Sequence, residues 1–435
     1  MPAFTLAWFG QLVSLTGTAM SRFALSIWAW QATGSATALA LVVFFSYLPT
    51  LLITPVAGAL VDRWNRKLTM ALTDAAAGVA SLVLLILFLV GNLEIWHLYV
   101  AGMLAGVFEA FQWPAFSAAI STMLTREQYA RANGMLALAE SASGIAAPLL
   151  AGFFLSLIGI GGILIVDVVT VVIAVATLSW IVVPAPPRTE AGSEGSGALW
   201  RESLYGFRYI FQRPSLLGLQ LIFLLGGNLP GGFSHALLTP YILLRSGNSA
   251  EALGTVLAAG SIGGVVGGLL MSTWGGPRQR VHGVLLGLAA TGLLGEMLLG
   301  IGRSLPMWIV AAFLQIFFIP ILNGCNQAIW QAKVAPDVQG RVFAARRFIG
   351  QATFPIATLS AGPLADFVFE PAMQPGGALV GMFGGLVGSG PGAGIGLLLV
   401  LMGLSGGFVS LAGYLFVAIR DVDTLLPDHE ATGTV

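Results

Sequence analysis

Charge is the scarcest property of this sequence. Only 9% of its 435 residues are Asp, Glu, Lys or Arg, against roughly 25% in an ordinary soluble domain. Apolar residues make up 57% of the chain and the mean hydropathy is +0.88, too little polar surface to coat a soluble globule. An excess of base is missing as well: nineteen Lys/Arg balance nineteen Asp/Glu, whereas a nucleic-acid partner calls for a basic surface. A single cysteine, Cys325, excludes a disulfide framework and a Cys-rich metal site. The four histidines are scattered, no His-Glu-x-x-His occurs and no Gly-x-Ser-x-Gly elbow is present, so hydrolase chemistry of those kinds has no footing. A phosphate-binding loop ending in Gly-Lys-Ser/Thr is also absent, which excludes ATP hydrolysis by this chain itself. Neither cofactor nor metal is expected, and the chain does not read as an enzyme.

Long apolar runs are what the sequence does have. Residues 23–61, 214–244, 304–332 and 371–419 contain no Asp, Glu, Lys or Arg, and each exceeds the roughly 20 residues a helix needs to cross a bilayer. A transmembrane β-barrel would alternate apolar and polar residues in segments of about ten, and that pattern is missing. The composition predicts an all-α, multi-pass membrane protein. Its start, MPAFTLAWFGQLVSLTG, lacks the basic n-region of a signal peptide and reads as a first span kept in the mature protein.

Twelve spans are expected, near 5–31, 37–61, 69–91, 96–123, 132–157, 160–183, 216–243, 251–274, 281–302, 306–332, 343–368 and 394–419. With the N-terminus in the cytoplasm, sixteen of the nineteen Lys/Arg fall in inner loops and the tail. Only Arg245 and Arg303 fall outside, and Arg22 lies within a span. This positive-inside bias supports both the span count and the orientation, with N- and C-termini in the cytoplasm. Trp28, Trp30 and Trp96 near outer ends, and Trp64, Trp180 and Trp274 near inner ends, fit an aromatic belt.

One long connection interrupts the series. PAPPRTEAGSEGSG, starting at Pro184, is rich in Pro, Gly, Ser and Glu and reads as a flexible linker. The expected domains are an N-terminal six-helix bundle (1–183), a cytoplasmic linker (184–213), a C-terminal six-helix bundle (214–420) and a tail (421–435). At an offset of 210 positions, GALVDRW (58–64) falls on GLLMSTW (268–274), REQYAR (126–131) on PDVQGR (336–341), and Gly152 on Gly362. Two six-helix bundles related by a pseudo-twofold along the membrane normal form a transporter architecture.

GALVDRWNRK, residues 58–67, packs one acid and three bases into the turn between spans 2 and 3. Asn65 suits such a turn because Asn tolerates left-handed backbone angles. Topology accounts for the bases but not for Asp62, since an acid at the inner membrane end gains nothing from the positive-inside rule. The stretch resembles the signature of the major facilitator superfamily, Gly-x-Leu-x-Asp-Arg-x-Gly-Arg-Arg/Lys. Gly58, Leu60, Asp62, Arg63, Arg66 and Lys67 match, and Asn65 replaces the usual Gly. QLVSLTGTAMSRFALSIW from residue 11, PAF at 114–116, RANG at 131–134, GRVFAARR at 340–347 and GPLADFVFEPAM at 362–373 extend the likeness. They are similar to the drug:proton antiporter branch that holds macrolide-efflux proteins and the enterobactin exporter.

That resemblance implies the major facilitator fold, with spans 1, 4, 7 and 10 lining a central cavity and the two halves rocking about a midplane site. It implies an inner gate at Gly58, Asp62, Arg63 and Arg66, where Asp62 contacts the start of span 11. Ser272 stands at the repeat-related position, so this latch is expected to be asymmetric. The branch often carries an acid in span 1 where this chain has Thr18; coupling here must use another acid, or none.

Ionisable groups inside a bilayer cost about 2.5–3.5 kcal/mol on insertion scales, so each is a functional candidate. They are Arg22 in span 1, Glu109 in span 4, Glu140 in span 5, Asp167 in span 6 and Glu296 in span 9, with Asp366 near the outer end of span 11. Glu109 is the first candidate proton carrier; the alternative is a neutral Glu that hydrogen-bonds a neighbouring helix. Glu140 is the second, unless it serves as a structural partner of Arg22. Arg22 itself either pairs with a carboxylate or meets an anionic part of a substrate. Spans 6 and 9 are peripheral in the family, which makes Asp167 and Glu296 weaker candidates.

Asn323, Asn326, Gln327 and Trp330 follow i, i+3, i+4, i+7 spacing, one polar stripe on span 10. Span 7 adds Asn228 and His235, and span 4 adds Phe108 and Phe111, with aromatic surface suited to a bulky lipophilic ligand. With Arg22 these residues make the expected substrate site, although interhelical hydrogen bonding and packing explain the same residue types. SASGIAAPLLAG (141–152) sets Gly144, Pro148 and Gly152 four residues apart. It is similar to the antiporter signature of span 5, and it reads equally as a small-residue packing seam. GGALVGMFGGLVGSGPGAGIG (376–396), with ten glycines, is expected to be an outer loop that folds back on the membrane edge.

The expected function is export of an amphipathic or lipophilic, macrolide-like molecule by proton antiport. Export of a siderophore or lipid-like metabolite, and an uncoupled facilitator or receptor, stay open. The expected partners are a small-molecule substrate, protons and the lipid bilayer, with the protein a monomer.

Overall fold

A computed structural model describes residues 2–63, 65–123, 129–181, 206–334 and 339–425. Helices account for every regular element among the described residues, and no strand occurs there. The segments expected as spans 1 to 4 are the helices Pro2–Thr33, Ala36–Arg63, Arg66–Leu89 and Ile95–Met123. Spans 5 and 6 form one stretch, Tyr129–Trp180, turned at Gly159 with φ 65° and ψ −174°. An L-residue with a side chain is disfavoured at such a φ, so a glycine sits where the chain reverses. The turn falls between the boundaries 157 and 160 expected from the sequence.

The segments expected as the remaining spans are Pro214–Arg245, Ala250–Trp274 and Arg280–Ile301, then Leu305–Lys333, residues 339–372 and the helix Ala393–Ala412. Nine stretches among the described residues, one of them holding spans 5 and 6 together, are long and apolar enough to cross a membrane. Two compact units result. The first comprises Met1–Arg188, Thr239–Ala258 and Ala361–Asp366; the second comprises Thr189–Leu238, Ala259–Ser360 and Phe367–Val435.

In the first unit, span 1 lies close against span 6. A Cβ at Gly10 would collide with Thr177, and one at Gly17 with Thr170. Small residues allow such approach, and in a bilayer close packing takes over the role of hydrophobic collapse. Span 2 meets span 4 where the Thr50 hydroxyl donates to the Gly106 carbonyl at 2.8 Å. The start of span 2 is held by Asp366, whose carboxylate accepts from Ser35 Oγ at 2.7 Å and from the Ala36 and Thr37 N–H groups at 3.0 and 2.8 Å. Those N–H groups belong to the first turn and have no partner within their own helix.

Two sequence expectations change here. Asn65 takes extended angles (φ −69°, ψ 111°) instead of left-handed ones, and its side chain accepts from the Leu68 N–H as the cap of span 3. An N-cap, not a left-handed turn, is the reason for Asn at this position. Trp30 is buried and donates to Asn248 Oδ1 at 3.0 Å, so its indole serves the protein interior instead of an interfacial belt. Trp96, Trp180 and Trp274 are exposed.

The second unit is built around a core that includes Tyr209, Leu219, Leu285, Ile329 and Trp330. Three of its spans contain a π-helical turn: Leu224–Asn228 in span 7, Thr291–Glu296 in span 9 and Ala365–Phe369 in span 11. The last begins in the first unit and ends in the second. A π-turn inserts an extra residue and re-aims the side chains around it, which is why such turns recur at functional sites. Here they carry Asn228, Glu296 and Asp366. One turn beyond Asp366, Glu370 accepts from the Gly392 and Ile395 N–H groups at 3.1 and 2.8 Å and caps the last span. The glycine-rich segment contributes a short helix, Val380–Val387, and Val387 packs with Met373, Ala393 and Leu397.

Candidate functional site

Span 1 presents Gln11, Thr18 and Arg22 along one side, at i, i+7 and i+11. Successive steps rise about 10 and 6 Å at 1.5 Å per residue. Each of the three binds a carboxylate on a different neighbour. Gln11 donates to Asp74 of span 3 at 2.5 Å, and Gln112 of span 4 donates to the other oxygen of Asp74 at 2.8 Å. Thr18 donates to Asp167 of span 6 at 2.9 Å, and Ser81 of span 3 donates to its other oxygen at 2.7 Å. Arg22 closes on Glu109 of span 4 at 2.9 Å.

The three carboxylates differ in surroundings. Asp74 and Asp167 are buried, at 3% and 0% exposure, among neutral donors. The Arg22 and Glu109 side chains are 61% and 50% exposed, although Glu109 lies half-way along the helix Ile95–Met123. Charged groups at that depth do not face hydrocarbon; they turn to a water-filled interior. The Arg22–Glu109 pair is the ion pair that the first unit holds at that depth among the described residues.

Sequence reasoning reached Arg22, Glu109 and Asp167, and offered Glu109 as one helix-bonding alternative; it did not bring Glu109 to Arg22. It missed Asp74 altogether. That residue lies close to the start of span 3, where an acid passes for an interfacial one, and only its contacts with Gln11 and Gln112 show that it is buried. The side chain of Glu140, with the pairing to Arg22 considered for it, lies outside the described residues, as do those of Gly58, Asp62, Arg63 and Arg66. Phe111 packs on the core formed by Ala7, Met70, Ala115, Leu178 and Ile181, and Phe108 is half-buried. In the span 5 seam, a Cβ at Gly152 would press on the backbone of Ala250, and one at Gly254 on the Pro148 carbonyl.

In the second unit, the span 10 stripe divides. Trp330 and Asn326 are buried at 0% and 1% exposure, and the indole donates to Asn326 Oδ1 at 3.1 Å. Gln327 accepts from Arg346 at 2.8 Å, and the Arg346 guanidinium stands 5.0 Å from the Trp330 ring. Asn323 alone of the four is exposed. Asn228 donates to the Gly350 carbonyl at 2.9 Å, while His235 is exposed and packs against the Phe354 ring at 5.3 Å. Glu296 is 2% exposed; it bonds the Gln315 side chain, and its Oε2 has no hydrogen-bond partner. Gln315 continues to Ser234 Oγ at 2.7 Å. No group of His, Cys, Asp and Glu among the described residues is arranged to hold a metal ion.

This arrangement of apolar spans with polar and charged groups in mid-membrane has a known counterpart. Residues 7–358 match the family model of the Major Facilitator Superfamily. The chain belongs to the Major Facilitator Superfamily. Its family and fold are thus those of membrane transporters, which handle small molecules and are not enzymes. This superfamily member is 27% identical over 371 residues to macrolide efflux protein A of Streptococcus pyogenes, covering 83% of this chain and 89% of that one. It is 24% identical over 321 residues to the enterobactin exporter EntS of Citrobacter koseri, covering 73% of each. Among solved structures it is similar to a bacterial homolog of the human lysosomal transporter Spinster, with a TM-score of 0.64 at 16% identity over 97% of this chain and 96% of that one. At that identity the likeness speaks for the fold alone. A multi-pass protein of the bacterial inner membrane follows from the spans and from these relatives.

Proposed function

We propose that this superfamily member exports an amphipathic or lipophilic small molecule of the macrolide type by proton antiport. The observation that carries the reading is the Arg22–Glu109 pair, an exposed ion pair at mid-span, in a chain similar along most of its length to a macrolide efflux protein. A carboxylate that alternates between a guanidinium and a proton makes binding of the proton depend on what else occupies its surroundings. Glu109 is the proton carrier in this reading, with Glu140 second. Arg22, Phe108, Phe111, Asn228, His235, Asn323, Asn326, Gln327 and Trp330 make the substrate site. The exposed Asn323 and His235 meet the ligand directly, and the buried Asn326–Trp330 pair shapes the wall behind them. Gly58, Asp62, Arg63 and Arg66 form the inner gate, with both termini in the cytoplasm and the protein a monomer.

The test uses purified protein in liposomes with a pH-sensitive dye inside and a panel of macrolides and other lipophilic compounds outside. Compound-driven proton movement that Glu109→Gln abolishes is the expected result. Movement that survives the substitution removes Glu109 from the carrier role. No movement with any bound compound contradicts antiport. Similarity to an enterobactin exporter supports a second reading, siderophore export, so a catecholate siderophore belongs in the same panel.

A further inference from the structure

Asp167 has no place in the reading above, yet among the described residues it is the most enclosed acid of the first unit. It is 0% exposed; the hydroxyls of Thr18 and Ser81 bind its oxygens at 2.9 and 2.7 Å, and the Ser21 hydroxyl is a further donor. All three donors are neutral. An ionised carboxylate withdrawn from water needs a charged partner or a proton. Arg22, one helical turn beyond Thr18, is within electrostatic reach of Asp167, but its guanidinium is engaged by Glu109 at 2.9 Å. One guanidinium thus serves two carboxyls, and a single proton completes the balance.

We propose that Asp167 is a second proton site of this transporter, sharing Arg22 with Glu109. In one state Asp167 carries the proton as a neutral carboxyl, and Glu109 is ionised and paired with Arg22. In the other the proton has left the Asp167 O–H for the Glu109 carboxylate, and Arg22 turns to the Asp167 carboxylate. Each state holds one cation, one anion and one proton, so the exchange leaves no net charge in the membrane beyond what was there. The geometry keeps the partners in register. Gly17 receives Thr170 of span 6, which sets Thr18 against Asp167, and Arg22 follows about 6 Å along the same helix.

The side chains of Arg66 on span 3 and Arg131 on span 5 lie outside the described residues. Asp74 on span 3 is two turns from Ser81 and is bound by Gln11 and Gln112. Lys67 binds the Ser179 and Ile181 carbonyls at 3.0 and 2.7 Å, more than three turns along span 6 from Asp167. The side chain of Glu140 on span 5 lies outside the described residues.

The proposal rests on the proton-coupled reading, so its test reads the proton without transport. Infrared difference spectra of the reconstituted protein, recorded across pH, should contain a protonated-carboxyl band. Asp167→Asn should remove it, and Glu109→Gln should make it vanish at lower pH, because the released guanidinium turns to the Asp167 carboxylate. Thr18→Val, which keeps the carboxyl and removes one donor, should shift the band without abolishing it. A band identical in wild type and Asp167→Asn overturns the proposal. Should Asp167→Asn fail to fold, an unshifted band in Thr18→Val overturns it equally. A band that behaves as expected in a protein showing no compound-driven proton movement would keep Asp167 as a proton site while removing the antiport reading.

Discussion

The two units hold polar groups inside a membrane by different means. In the first, acids are bound from a single helix: Gln11, Thr18 and Arg22 of span 1 reach Asp74, Asp167 and Glu109 on three neighbours. In the second, the half-buried base Arg346 is met by the neutral Gln327 and the Trp330 ring, and the buried acid Glu296 sits in a π-helical turn with one oxygen unpartnered. The difference teaches where a proton has work to do. Two carboxyls around one guanidinium can trade a proton and a charge, whereas a lone Glu296 beside Gln315 can only keep its proton or lose it at full desolvation cost.

The largest expected effect breaks that contrast at its centre. Glu109→Gln should reduce compound-driven proton movement in liposomes to the level of protein-free vesicles, since Glu109 is the carboxylate that holds Arg22 in the structure. Next is Asp366→Ala, which removes three hydrogen bonds from the start of span 2. A lost helix cap costs about 1 kcal/mol, and a lower Tm in detergent is the readout; an unchanged Tm would mean that Ser35 caps the helix unaided. Trp330→Phe removes the indole bond to Asn326 one turn away on the same helix, a single neutral hydrogen bond, and should lower Tm only slightly while leaving the ring core in place. The smallest effect sharpens the comparison: Glu296→Gln replaces a carboxyl with an unpartnered oxygen by a neutral isostere, so Tm should equal or exceed that of wild type.

Much of this was legible in the sequence, and the reason is the bilayer. Charge-free runs must become helices because hydrocarbon offers no hydrogen bonds to an unpaired backbone, so span positions followed directly, including the reversal at Gly159. Arg22 and Glu109 stood out because charges are rare at that depth. Other features left no local trace. Asp366 looks like a span-end acid until span 2, some 330 residues earlier, is brought against it. The π-turns carrying Asn228 and Glu296 have no compositional mark. The span 10 stripe has the spacing of a binding face, yet two of its four members, Asn326 and Trp330, are spent on each other in the core. Periodicity tells which residues share a face; it does not tell whether that face is wet.

One pair of variants tests the central claim, that the first unit carries the coupling. Compound-driven proton movement would be recorded side by side for Glu109→Gln and Glu296→Gln, at matched protein content in liposomes. The account predicts loss in the first and near wild-type movement in the second. Retention in Glu109→Gln together with loss in Glu296→Gln would contradict it and move the coupling site to the Glu296–Gln315–Ser234 chain of the second unit.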